Sequence, residues 1–263
     1  MDLVEMGGRA RAFYADFFSS GLTKADDCRV LWDELLTVSV GDRDWLELPL
    51  TLAKFLEALR LMPGMDGLTV EFICMCWDVL GPDLAIVGAE SLGSRVLPLS
   101  CSMDYKVVAK AILLRLGSML ADTVHPVQTY TVLGHTIFNN LYLIRDLLEL
   151  GCRDSLSFTL LSLDQEKVLD RMDHGYLLGT LWAFRFGAQV VGFLQVLYAS
   201  VECLDKLNRT LTEPVSFGQG VCQGCLLSCQ LYTLPIEPFL HLLHRRLMGL
   251  VLREPELRLA LSA

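Results

Sequence analysis

Asp164 is the residue of this chain best placed to do chemistry. It closes the run Leu156 to Leu163, in which apolar Leu156, Phe158 and Leu160 alternate with Ser157 and Thr159. That period of two predicts a half-buried strand. An acid at the C-terminal end of a strand, opening a turn, is held rigidly and exposed at once, and α/β folds commonly put chemistry there. The same position suits a cap or turn residue, because Asp satisfies free backbone amides. Lys167, Asp170, Arg171 and Asp173 follow as polar ground before a helix through Tyr176, Leu177 and Leu181. Asp170 and Asp173 read as solvated or capping residues.

A second constellation has the residue types of a metal site. Cys222 and Cys225 have ligand-like spacing, and His241 and His244 follow. Zinc-binding modules use such sets. The two histidines stand closer together, and farther from Cys225, than in the usual finger, so ordinary surface or interface histidines are the competing reading.

Composition bounds the rest. The chain has 263 residues with a net charge of −9 and a pI of about 5.0. That balance opposes broad nucleic-acid binding, which needs lysines and arginines to displace counterions from phosphates. Hydrophobic residues make up 52% and the mean hydropathy is +0.42. Two apolar regions raise the question of a membrane span. Pro214 to Ile236 holds Gln219, Gln223, Gln230 and glycines, and Leu177 to Val201 is broken by Arg185, Gly187, Gln189 and Gln195. Both read as buried core rather than as a bilayer helix. The opening MDLVEMGGRARAFY is mixed and polar, unlike a secretory leader. Nine cysteines without that leader predict reduced thiols and an intracellular setting, cytoplasmic or nuclear.

The elements that must position Asp164 read mostly as helices. Residues 1 to 45 are amphipathic, with Phe13, Tyr14, Phe17 and Phe18 and then Leu31, Trp32, Leu35 and Leu36 at helical spacing, and a turn at Gly41-Asp42. Further helices are predicted over Leu50 to Leu61, Leu68 to Leu80 (closed by Gly81-Pro82), Asp83 to Leu92, Asp104 to Leu120 and Thr136 to Leu150. A turn at Gly151 to Asp154 leads into the strand. Beyond it come helices over Tyr176 to Arg185 and Gln189 to Ala199. Glu202 to Leu211 reads as a strand pair or a strand and turn, and Gly218 to Gly224 as a glycine loop. Leu226 to Leu250 reads as a helix broken near Pro235 and Pro238.

Several stretches in one order resemble the LINE-type (non-LTR) retrotransposon reverse transcriptases. They are Pro63-Gly64-Met65-Asp66-Gly67-Leu68 with Glu71-Phe72 and Trp77 to Pro82; Asp104-Tyr105-Lys106 with Lys110-Ala111; and His125-Pro126 with Gln128 to Val132 and Thr136-Ile137-Phe138. Next come Ser162 to Lys167 with Asp170-Arg171, Gly220-Val221 and Gln223-Gly224-Cys225 with Leu227-Ser228, and Leu231-Tyr232 with Glu237-Pro238. The resemblance covers nearly the whole chain. It implies an α+β, helix-rich fold: a helical N-terminal extension over 1–45, a fingers remnant over 46–150 and a truncated palm over 151–263, together an incomplete right-hand polymerase fingers and palm.

The resemblance further implies nucleotidyl transfer with Mg2+, in which carboxylates hold two ions around the reacting groups. Asp164 matches the first carboxylate. Leu169 falls where the family screens the sugar with a bulky aromatic residue, and Gln223 and Gly224 match nucleotide-binding positions. RNA template and DNA primer are the family's partners. The other two carboxylates belong to a Tyr-Ala-Asp-Asp hairpin, and the chain ends at Leu261-Ser262-Ala263 where that hairpin is expected to begin. Gln219, Cys222 and Leu226 stand in place of two arginines and a proline, and His135 and Asn139 in place of a basic and an acidic residue. Ser100-Cys101-Ser102 joins segments that the family separates by a basic insert. These departures predict an inactive fragment that binds nucleic acid weakly and self-associates through an unpaired sheet edge. The alternative is a non-enzymatic binding or scaffold protein.

Overall fold

The computed structural model describes residues 3–19, 21, 25–33, 35–62, 69–94, 102–156, 158–198, 202–204, 206–221, 227–247, 250–251 and 256–257. Among these the chain runs as α1 (Leu3–Phe17), α2 (Ala25–Trp32), α3 (Val40–Leu46), α4 (Leu52–Arg60), α5 (Val70–Met75), α6 (Trp77–Ser94), α7 (Ser102–Thr123), α8 (Ile137–Asp154), α9 (His174–Ala183) and α10 (Ala188–Tyr198). Short strands β1 (Glu202–Cys203), β2 (Lys206–Leu207), β3 (Thr210–Leu211) and β4 (Val215–Ser216) follow, then α11 (Ser228–Arg246), β5 (Leu250–Val251) and β6 (Glu256–Leu257). The protein is helix-rich. Its strands form three antiparallel pairs, β1 with β4, β2 with β3 and β5 with β6.

Side-chain caps explain where many helices begin. The oxygens of Ser39, Thr51, Thr69, Thr136 and Asp173 accept first-turn amides of α3, α4, α5, α8 and α9. Each satisfies a donor that the helix cannot use. The β2–β3 turn has positive φ at Asn208 and Arg209, the conformation that matches the twist of a two-residue hairpin. It resolves the ambiguous stretch from Glu202 to Leu211 as strand β1 followed by this hairpin.

The core lies where α4, α6, α7, α9, α10 and α11 meet. Leu59, Leu116, Leu120, Leu177, Leu181, Leu194, Leu231 and Leu234 are fully buried in it. Both apolar regions flagged in the sequence contribute, through α10 and through α11. Among the described residues no helix is long and apolar enough to cross a membrane.

Five local expectations are corrected. First, residues 158–163 form no strand. Leu160, Leu161 and Leu163 are 58%, 71% and 68% exposed, and no neighbouring strand takes up this backbone among the described residues. Alternation specifies a strand only when one face is buried. Second, Gly41-Asp42 lies inside α3, because the Ser39 cap starts the helix earlier. Third, Gly81-Pro82 lies inside α6 rather than closing a helix. Pro82 removes a partner from the carbonyl four residues earlier, that of Asp78, which is exposed. Fourth, α11 runs through Pro235 and Pro238 without a break. The prolines free the carbonyls of Leu231 and Leu234, four residues earlier, and Tyr176 ties the same stretch to α9 by donating its hydroxyl hydrogen to the Pro235 carbonyl at 3.0 Å. Fifth, Gly151 to Asp154 are still helical, and α8 ends only at Ser155 in the left-handed conformation, φ 52°.

One close approach fixes α2 on α9. The Trp32 indole donates to Thr180 Oγ1 at 2.8 Å and stacks on Tyr176, and a Cβ on Gly179 would run into the Trp32 ring. Gly179→Ala is therefore expected to destabilise the fold by about 1–3 kcal/mol through overpacking. A Cβ on Gly192 of α10 would meet nothing within 4 Å, so Gly192→Ala should instead stabilise by about 0.5–1 kcal/mol. Urea unfolding of the two variants checks both signs.

Candidate active site

The segment carrying Asp164 is tied to the glycine loop by main-chain bonds. After the exposed stretch ending at Asp164, residues 166–171 fold into turns. Lys167 has φ 50°, and its carbonyl accepts from both Asp170 N and Arg171 N at 3.0 Å. Asp173 then pairs antiparallel with Gln219. Gly220 N donates to Met172 O, and Val221 N donates to Leu169 O, each at 2.7 Å. Gly220 has φ +97°, and a Cβ there would stand 2.9 Å from Asp170 O. A side chain at that position would be strained by its φ and pressed against backbone. Two segments far apart in sequence thus form one unit. It brings Leu169, half-buried against the core, onto the start of the glycine loop.

Neighbouring side chains brace this unit. The His174 Nε2 is 2.7 Å from Gly220 O, and its ring lies against Tyr198. The Gln165 side-chain oxygen accepts from the Tyr232 hydroxyl at 2.9 Å, which anchors the residue beside Asp164 to α11. The end of α1 packs on the same place. Lys167 Nζ lies 4.5 Å and Arg171 Cζ 5.9 Å from the Phe17 ring centre, distances that suit cation–π attraction. Gly218 N donates to Phe18 O at 2.9 Å, the Gln219 side chain donates to Phe17 O, and Phe18 stacks closely on Phe217.

Asp164 is exposed, at the rim of the unit rather than in it. Leu169 and Gly220-Val221 are brought together. Gln223 and Gly224 lie outside the described residues, as do Cys222 and Cys225 of the competing metal constellation and the turn at 63–68. Asp173 caps α9, as read. His135 Nδ1 is 2.7 Å from Gln128 O, and Asn139 is exposed. His174 and Tyr232 carry no signal of this role in the sequence. Their partners are main-chain or remote atoms that no local pattern reveals. For His174 the one available signal was its place next to a helix cap.

The donor set can be tested against a divalent ion. Two-ion chemistry requires several carboxylate oxygens converging on one place. Among the described residues no three His, Cys, Asp or Glu side chains are grouped so as to hold a metal. His125 and His244 stack at 4.3 Å between ring centres and do not converge with a third ligand. Asp164 and the described residues around it therefore do not fit a two-ion site by themselves.

Comparison with known proteins decides the family. Residues 93–257 match the family of reverse transcriptases (RNA-dependent DNA polymerases). The chain belongs to that family. It is 51% identical over 286 residues to a Xenopus laevis protein named "Transposon TX1 uncharacterized 149 kDa protein", a match covering 97% of this chain and 22% of the relative. The kinship places it with the LINE-type, non-LTR retrotransposon enzymes. The matched span of 286 residues exceeds the 263 of the whole chain, so the relative carries residues there that this chain lacks.

A buried acid elsewhere on α11 lies in the Glu237-Pro238 motif, for which the sequence suggested no chemical role. Glu237 is 2% exposed. Its oxygens accept from His125 N at 2.8 Å and from Gln128 Nε2 at 2.7 Å. Thr233 adds bonds to Thr131 and to Tyr130 O, so α11 holds the 125–131 stretch through a polar seam. Burial pushes the Glu237 carboxyl from 4.5 up to about 7, against a smaller lowering by the His125 amide. The fold therefore favours the protonated acid. Its contribution to stability is complete below the unfolded value of 4.5 and is lost as pH rises to about 7, because the folded chain binds more protons than the unfolded one across that window. Thermal unfolding followed by circular dichroism should show the wild type losing stability over this window relative to Glu237→Gln. The variant should be the more stable of the two at pH 8.

Proposed function

We propose that this chain is the fingers-and-palm portion of a retrotransposon reverse transcriptase and that, as an isolated polypeptide, it does not polymerise. Residues 1–45 form a helical extension, 46–150 a fingers remnant and 151–263 an incomplete palm. The observation that carries the reading is the hydrogen-bonded junction of Leu169–Asp173 with Gln219–Val221. It joins the two segments that the resemblance assigns to the nucleotide site. Leu169, Gln223 and Gly224 are the nucleotide-binding positions, and Asp164 is one carboxylate of a Mg2+ ligand set that the described residues leave incomplete. The partners are an RNA template and a DNA primer. A charge of −9 and the residues missing relative to the Xenopus protein favour weak binding to both, since phosphate contacts carry most of such affinity.

Catalysis of phosphoryl transfer is mainly positioning and charge stabilisation. Leu169 in place of an aromatic residue leaves the sugar pocket loose. Gln219, where the family has arginine, is turned onto the backbone of α1. Both features support inactivity independently of the metal ligands. The test is incorporation of labelled deoxynucleotide on a primed RNA template in Mg2+, with Asp164→Asn beside the wild type. No incorporation by either is expected. Incorporation by the wild type that Asp164→Asn abolishes would overturn the inactive reading.

A second reading, a non-enzymatic scaffold, is favoured by one observation. Ile137, Phe138, Leu141 and Tyr142 of α8 are about half exposed, and Leu160, Leu161 and Leu163 are more exposed still. Large exposed apolar surface marks association, and unpaired extended backbone invites strand pairing. Size exclusion with light scattering should show self-association of the purified chain, and a clean monomer would remove this reading.

A further inference from the structure

We propose that the cavity enclosed by the α3–α4 linker, α4, α6, α7 and α10 is a binding site for an amphipathic anion, an apolar chain ending in a single carboxylate. The cavity has a volume of about 480 Å3, within the range of small-molecule sites. Its walls are apolar, with Leu50, Phe55, Val108, Ile112 and Phe193 among them. Such a wall with one charged group at its edge is how ligand pockets combine affinity and orientation.

The charged group is Arg115 of α7, which is only 9% exposed and lines the same cavity. Its Nη1 donates to the carbonyls of Leu46, at 3.3 Å, and Leu48, and its Nη2 donates to Pro49 O at 2.8 Å. Trp45 lies over the guanidinium at 5.8 Å. No carboxylate pairs with it among the described residues. A guanidinium has five N–H donors, and three are used among the described residues. Those remaining are Nε–H and one on Nη2, atoms that share one edge of the planar group. That edge is a fork to which a carboxylate binds with two parallel hydrogen bonds. A buried charge without an ion partner is costly, and burial lowers the Arg115 pKa accordingly. A carboxylate would relieve that cost while its chain fills the apolar space.

Glu47 also lines the cavity, but it is already committed. Its oxygens accept from Gln189 N at 2.9 and 3.0 Å and from Val190 N at 3.3 Å. It thereby caps the start of α10, where an acid is favoured by the helix dipole. Glu47 leaves Arg115 as the group that selects the ligand's charge.

The probes are decanoate, decanol and decylamine, below the concentrations at which they form micelles, titrated calorimetrically into the full chain. The proposal expects decanoate to bind saturably at one site, about tenfold or more tighter than decanol, as a charge-assisted bidentate contact warrants. Arg115→Gln should bring decanoate and decanol together. Arg115 also ties down the linker at 46–49, so its loss could unfold the chain, and Gly88→Leu supplies an independent arm. A Cβ at Gly88 meets Phe55 Cζ at 4.0 Å, an ordinary contact, and Gly88 lines the cavity, so a leucine there takes up cavity space and should abolish decanoate binding, with circular dichroism confirming a folded chain. Absence of saturable binding, unchanged binding by Gly88→Leu, or decylamine or decanol binding as tightly as decanoate would each overturn the proposal.

Discussion

Val221 donates its N–H to the carbonyl of Leu169, and Gly220 beside it donates to Met172, so two short loops separated by α9, α10 and the hairpins become one piece. Much else is arranged around that contact. The Asp173 cap that starts α9 pairs with Gln219 across it. His174 reaches back to Gly220 O, and the end of α1 closes over it through Phe17 and Phe18. The constraint is steric as much as electrostatic. Gly220 has left-handed φ and lies against Asp170 O, so a bulkier residue would push the loops apart.

The parts legible in the sequence were those whose cause is local. The helices expected from Leu50, Leu68 and Thr136 begin within two residues of the observed starts of α4, α5 and α8, which Thr51, Thr69 and Thr136 cap. Runs such as Gln189 to Ala199 are apolar at every turn and can only be interior, as α10 is. Breakers were misjudged where the surroundings compensate. Pro235 and Pro238 sit within α11, which is held to α9 by the bond from Tyr176 to the Pro235 carbonyl, and Pro82 sits within α6, where the carbonyl it frees belongs to Asp78, an exposed residue. Neither compensation is visible from neighbouring residues.

The strand before Asp164 was misjudged for a different reason. Its alternation is real, but alternation records what a segment is suited to, and a strand exists only when another strand takes its backbone bonds. Among the described residues none does, so Leu160, Leu161 and Leu163 face solvent. The sequence was right about the kinship. It named Glu237, His125 and Gln128 in separate motifs, and only the fold brings them together.

A polymerase site must meet two requirements together, and they ask different things of the sequence. The junction of Leu169 with Val221 needs main-chain atoms and the space that Gly220 leaves. Ion binding needs several carboxylates to converge, and their charges repel until a cation offsets them. The first requirement asks little of the sequence and contributes to the folded core through Leu169 and Val221. The second draws on exposed groups: Asp164 stands at the rim of the junction, open to solvent. Gln219 belongs with the first requirement: its side-chain amide donates to the Phe17 carbonyl of α1, and the position becomes part of the fold.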